Sequence, residues 1–202
     1  MIGRHDHPEV ALHSFSLAEY MKSIDANDWA GVSELMLKSA EKLAKAGADF
    51  LICPDNTIHQ AFDLVEHRSP RPWLHIAREV ASEATRRGYR RLAVLGTKYL
   101  MEGPVYRDAL KAARIEHRVP GAEQRQRINQ IIFDELVNGQ FLPRSLAYFV
   151  EVIRNLKDEG CDAVVLGCTE IPLIVPEKDS PLPTLDSTRL LAQAAVRKAV
   201  EG

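Results

Sequence analysis

Two short polar clusters in this chain combine residue types that can move a proton. Asp55-Asn56-Thr57 follows the apolar run Asp49 to Cys53, and Cys168-Thr169-Glu170 follows Ala163 to Leu166 and a glycine. One cluster offers a carboxyl group and the other a thiol, each with hydroxyl or amide neighbours. Held on opposite sides of one carbon, a base would remove a proton from one face while an acid delivers a proton to the other. Asn56, Thr57, Thr97 and Thr169, with backbone N–H groups at helix starts, would hold a carboxylate. Glu170 and His59 stand beside the clusters as further binding candidates. Each candidate also has a structural alternative: Cys168 as a buried strand-end thiol, Asp55 as a helix N-cap, His59 as a helix-face residue, and Glu170 as a partner of a helix dipole. Cys53, inside a strand pattern, and Cys161, after a helix-ending glycine, read as packing residues.

The two clusters occupy equivalent points of a repeat. About 113 positions separate Leu43, Gly47, Asp49 and Asp55 from Leu156, Gly160, Asp162 and Cys168. In both copies a helical pattern ends at glycine, a short strand follows, and the polar cluster sits where the strand stops. Asp28 caps a helix to about Ala46, and a second helix runs from about Ile58 to Glu66. Further along, strands at 73–76, 91–95, 115–119 and 163–166 alternate with helices at 77–87, 106–113, 124–137 and 145–159. A last strand ends at Asp186 before a closing helix, 187–200. Val10 to Phe15 reads as a strand that enters a loop at Ser16. This alternation predicts an α/β fold of two similar lobes, with parallel sheets flanked by helices. Residues 1–76 with 185–202 form one lobe in this reading, and 77–184 the other. Ligands of such sheets bind beyond the carboxyl ends of strands, where Asp55, Thr97, Cys168 and Asp186 are all expected to lie, in a cleft between the lobes.

Composition removes several other functions. A net charge of −2 gives no electrostatic basis for binding nucleic acid or an anionic membrane. No run approaches the roughly 20 apolar residues of a spanning helix, and the opening residues do not read as a secretory leader. Three cysteines do not make a disulfide framework, so a reducing cytoplasm is expected. Zinc-ligand spacings and glycine-rich phosphate loops are absent, and His5 with His7 is a weak metal candidate, so no metal or cofactor is expected.

The turn Leu166-Gly167-Cys168-Thr169-Glu170-Ile171-Pro172 resembles the second signature of the aspartate/glutamate racemase family, and Cys53-Pro54-Asp55-Asn56-Thr57-Ile58-His59 resembles the first. Similarity also appears at His7-Pro8, Leu95-Gly96-Thr97, Ile131 to Leu136 and Leu185 to Thr188. The resemblance implies racemisation of a small amino acid without pyridoxal phosphate, by two opposed cysteines in a cleft between lobes, in a homodimer. Carried over by position, Cys168 matches the second catalytic cysteine, and Asn56, Thr57 and Thr169 match contacts to the substrate carboxylate. Three departures accompany it. Asp55 stands where the first catalytic cysteine is expected. The family's first strand and its glycine-rich loop are not found, so the first lobe is expected to lack a strand. The basic residues that bind a side-chain carboxylate are not evident, with Met21 and Leu142 in those regions. Two other outcomes remain open at this point: a lyase or isomerase of a small dicarboxylate that uses Cys168 alone, and a non-catalytic carboxylate-binding relative.

Overall fold

The structure is a computed structural model that describes residues 7–201. The polar opening segment, including His5 of the weighed histidine pair, lies outside the described residues.

A four-stranded parallel sheet forms the larger half. It is built from β3 (Arg91–Leu95), β4 (Glu116–Arg118), β5 (Ala163–Leu166) and β6 (Thr184–Asp186), in the order β4-β3-β5-β6. Side chains alternate between its faces as a two-residue period requires. Ala93, Leu95, Val164 and Leu166 pack into one core with Phe149, Val152 and Ile153 of α8 (Pro143–Asp158). Leu92, Val94, Ala163 and Val165 pack into a second core with α4 (Ile76–Arg87) and α6 (Pro104–Ala112). Burial on both faces explains the unbroken apolar reading of β5. The boundary expected at residue 185 falls inside β6, which pairs with β5, while the closing helix α10 (Ser187–Glu201) packs on α4.

The smaller half is a two-stranded parallel sheet, β1 (Leu51–Ile52) with β2 (Trp73–Leu74). Its core gathers Ile24 of α1 (Leu17–Asp25), Val32 and Met36 of α2 (Trp29–Lys45), and Phe62 and Val65 of α3 (Phe62–Glu66). The repeat is visible at the two helix ends that precede β1 and β5. Gly47 and Gly160 take left-handed φ values of +96° and +90°, a conformation that closes a helix without a Cβ clash.

Three local expectations change. Val10 to Phe15 is not a strand: Val10 and Leu12 are 84% and 86% exposed, with no neighbouring strand to pair them. Ser16 begins a helix rather than a loop, its hydroxyl accepting the Ala18 N–H of α1. The helix expected over 124–137 is α only through α7 (Ala122–Gln130). It then widens into a π turn, Ile131–Glu135, and tightens to a 3-10 turn, Leu136–Asn138, that stops at Gly139 with φ +71°.

Candidate active site

β3 and β5 are adjacent strands, but the chain leaves β3 toward β4 on one side and returns to β5 on the other. Such a switch point opens a crevice beyond the strand ends. Each strand ends in glycine followed by a candidate residue, Gly96-Thr97 and Gly167-Cys168. The two turns touch: the Gly167 N–H donates to the Leu95 carbonyl at 2.7 Å. A Cβ on Gly96 would stand 2.9 Å from the Gly167 carbonyl oxygen, and one on Gly167 would stand 2.8 Å from that of Leu95. Both glycines are therefore required by close approach of backbone to backbone, which sets Thr97 and Cys168 side by side.

The Asp55 turn is built differently. Its Oδ1 accepts the Ile58 N–H at 3.0 Å, which closes the start of a 3-10 turn, Thr57–Ala61. Beneath it, the buried His59 ring donates from Nδ1 to the Asp55 carbonyl at 2.7 Å and accepts the Ile76 N–H on Nε2 at 3.4 Å. A carbonyl only accepts and an N–H only donates, so the ring is held neutral in one tautomer. Burial agrees, lowering its pKa to about 4. Asn56 turns inward as well. It accepts from Tyr106 OH at 2.7 Å and donates to Ser187 Oγ at 3.0 Å, and Ser187 in turn donates to the Leu166 carbonyl at 2.9 Å. This buried chain of hydrogen bonds ties the Asp55 turn to the end of β5. Thr57 Oγ1 lies 2.9 Å from Thr97 Oγ1 and makes a second tie.

One cleft of about 100 Å³ receives Asp55, Asn56, Thr57, Thr97, Cys168, Thr169 and Glu170. His59 does not line it, and serves the site from below through the Asp55 carbonyl. Cys168 Sγ donates to Glu170 Oε2 at 2.9 Å, and Thr169 Oγ1 donates to the same oxygen at 2.7 Å. Burial, with the Glu170 carboxylate beside it, pushes the Cys168 thiol well above its usual pKa. Enclosure by protein also raises the Asp55 carboxyl, against two backbone N–H groups that lower it. The Asp55 side of the turn still reaches solvent through the cleft mouth, and water tempers that rise. Both groups are thus pushed toward their protonated forms. Among the described residues, no group of three or more His, Cys, Asp or Glu is placed to hold a metal ion.

The family model for Asp/Glu/hydantoin racemases matches residues 1–195. The chain belongs to this racemase family. It is 24% identical over 194 residues to the broad specificity amino-acid racemase RacX of Bacillus subtilis (strain 168), covering 95% of this chain and 82% of RacX. A Yersinia pestis structure assigned provisionally as an Asp/Glu racemase superposes with TM-score 0.88 at 32% identity, covering 98% of this chain and 86% of that one. The aspartate racemase homologue PH1733 of Pyrococcus horikoshii OT3 gives TM-score 0.84 at 29% identity, covering 98% and 87%. The family model and RacX are both described as racemases.

Half of the residues that line this racemase-family cleft lie outside the two strand-end signatures. Met21 nevertheless stands where a basic side chain is expected, and Ile132 and Phe133 fall in the stretch Ile131 to Leu136 that shares the family resemblance. Leu17, Met21 and Ile24 project from α1, and Ile132, Phe133 and Val137 from the widened end of α7. The first three stand at i, i+4 and i+7, one helical face, directly after a Ser N-cap. That signal was present in the sequence and was obscured by reading the preceding segment as a strand. The second group has no such periodic signal, because a π turn shifts side chains off the 3.6-residue period; only the family resemblance over Ile131 to Leu136 touches it. Tyr99 of α5 (Lys98–Glu102) also lines the cleft, and its hydroxyl donates to Asp25 Oδ1 at 2.6 Å, pinning α1 as a wall. No helix of the described residues is long and apolar enough to cross a membrane.

Proposed function

We propose that this chain is an amino-acid racemase that works without pyridoxal phosphate, by two-base proton transfer between Asp55 and Cys168. The observation that supports this most directly is that the carboxyl and the thiol, from equivalent points of the repeat, line the same cleft. In the forward sense the Asp55 carboxylate removes the α-proton from one face, and the Cys168 S–H protonates the other. This leaves a carboxylic acid and a thiolate. For the opposite enantiomer the starting arrangement is reversed: Cys168 must lose its proton and Asp55 must gain one. The Glu170 carboxylate that Cys168 already touches stands where it can relay that proton. Free carboxyl and thiol groups differ by roughly 4.6 pKa units, so the reversed arrangement costs about 6 kcal/mol if neither group is shifted. The rise at Asp55 reduces that gap, and the rise at Cys168, to which the Glu170 carboxylate contributes, enlarges it. The substrate carboxylate would draw the hydroxyls of Thr57, Thr97 and Thr169 from their resting bonds to one another and to Glu170.

Incubating each enantiomer of an amino acid in D2O tests this reading. Deuterium should enter the α-position from either starting enantiomer while optical activity decays to zero. Label in neither enantiomer of any amino acid would overturn it. One observation favours a second reading: Asp55 Oδ1 is engaged by the Ile58 N–H, which leaves that carboxyl less free than the Cys168–Glu170 pair. In that case Cys168 acts alone, as a lyase or isomerase of a small dicarboxylate, and label enters from one enantiomer only or not at all.

A further inference from the structure

We infer that the side-chain half of the cleft selects uncharged, apolar amino acids over aspartate and glutamate. This rests on the racemase reading above and names its substrate class. The cleft divides by chemistry. Its polar half is made by the two strand-end clusters, and its other half by Leu17, Met21, Ile24, Ile132, Phe133 and Val137. The described lining residues include no lysine, arginine or histidine, whereas they include two carboxyl groups, Asp55 and Glu170.

A neutral amino acid brings one carboxylate and one ammonium, which the threonine hydroxyls and the two acids can meet. A dicarboxylic amino acid brings a further negative charge into an apolar wall near two carboxylates. A charge so placed loses hydration and gains no ion pair. Three basic groups nearby in sequence are turned to other tasks. Lys98 Nζ lies over the Tyr99 ring, 4.8 Å from its centroid. Arg144 pairs with Glu135 at 3.2 Å, and Arg125 pairs with Glu102 at 3.0 Å. Tyr99 offers the cleft its ring, because its hydroxyl is held by Asp25. Discrimination therefore comes both from apolar contact with the favoured side chain and from the unpaired charge of the disfavoured one.

The test follows α-deuteration of alanine, valine, methionine and leucine against aspartate and glutamate, each as both enantiomers, with kcat/KM as readout. At least one apolar amino acid should exceed both acidic ones by about tenfold or more, the size of a modest pocket preference. Aspartate or glutamate turning over as well as the best apolar substrate would overturn the inference and leave the racemase reading intact. Exchange with none of the six would count against that reading, and ligand-induced change in Tm of Cys168→Ser protein then decides the inference separately. Stabilisation by apolar amino acids alone supports it; stabilisation by aspartate or glutamate, or by none, overturns it. The variant Met21→Arg, placed on the α1 wall, should shift preference toward aspartate by about tenfold or more. Unchanged preference in a Met21→Arg protein of normal Tm would also count against it.

Discussion

The two strand ends that meet in the cleft are supported by opposite kinds of interior. Behind Cys168 lies hydrocarbon: Leu166, Ile171 and Ile174 are buried in the core that joins the larger sheet to α8. Beneath Asp55 lie buried polar groups, with Asn56, His59 and His75 all at or below 9% exposure. Apolar support constrains a turn by shape and is indifferent to pH. Polar support constrains it by direction, through bonds that exist in one protonation state and one tautomer. The repeat thus places two proton-transfer groups at equivalent points while leaving only the Asp55 side sensitive to the loss of a single hydrogen or the gain of a proton.

The largest effects should come from the reacting groups themselves. Cys168→Ser should reduce α-deuteration by about 10²- to 10⁴-fold, the range for loss of a positioned acid–base group. Asp55→Asn should do the same to racemisation, yet it keeps an oxygen to accept the Ile58 N–H, so Tm should hardly move. Kinetics and thermal melts on both variants check this. If Asp55→Asn retains full turnover where Cys168→Ser loses it, the equivalence of the two ends fails and the one-base reading replaces it.

An intermediate effect should separate the polar support from the apolar one. Tyr106 is 1% exposed, and its hydroxyl supplies the hydrogen bond to Asn56 Oδ1. Tyr106→Phe preserves the ring and leaves that oxygen without its donor, a loss of about 1–3 kcal/mol for an unsatisfied buried acceptor. Denaturant unfolding should record that loss, together with weaker activity as the Asp55 turn loosens from Ser187 and β5. Wild-type stability in this variant would show that the buried chain contributes nothing.

Much of this arrangement was legible in sequence, for physical reasons that also explain the rest. β3 and β5 are buried on both faces, so their apolar runs could not be mistaken. The helix-ending Gly47 and Gly160 announced the repeat because few other residues adopt their φ. Asp55, Thr57, Thr97, Cys168, Thr169 and Glu170 line one cleft, at the strand ends where a parallel sheet exposes ligands. Asn56 lines the cleft, and its side chain is also bonded to Tyr106 and Ser187, partners 50 and 131 residues away. Such pairing has no local signature. His59 was read as a binding residue and acts on the backbone instead, again through a distant partner, Ile76. The apolar wall is less legible: the helix at Leu17 starts where a loop is expected, and a π turn breaks the period at Ile132 and Phe133, which only the family resemblance over Ile131 to Leu136 marks.

The smallest expected effect concerns acid. His75 caps α4, its Nδ1 accepting the Ala77 and Arg78 N–H groups at 3.2 and 3.4 Å. Its ring stands against His59 and Phe62, with centroids 4.6 and 4.7 Å apart, and Arg78 lies close by. Burial above all, then the neighbouring His59 and Arg78, lower its pKa to about 3. An imidazole with its pKa depressed in the folded state favours folding above its unfolded value near 6.5, and that stability is lost as pH falls toward the folded value. Protonation at Nδ1 also removes the lone pair that caps the helix. Wild-type stability should therefore decline between pH 7 and pH 5, with His75 accounting for on the order of 1 kcal/mol. His75→Asn keeps a side-chain oxygen for the cap and does not titrate, so its stability should fall less steeply over the same interval. The slope is the readout, since any constant offset from the lost ring drops out. Equal slopes for the two proteins would mean that His75 adds nothing to the acid sensitivity of the Asp55 side, which then rests on His59 alone.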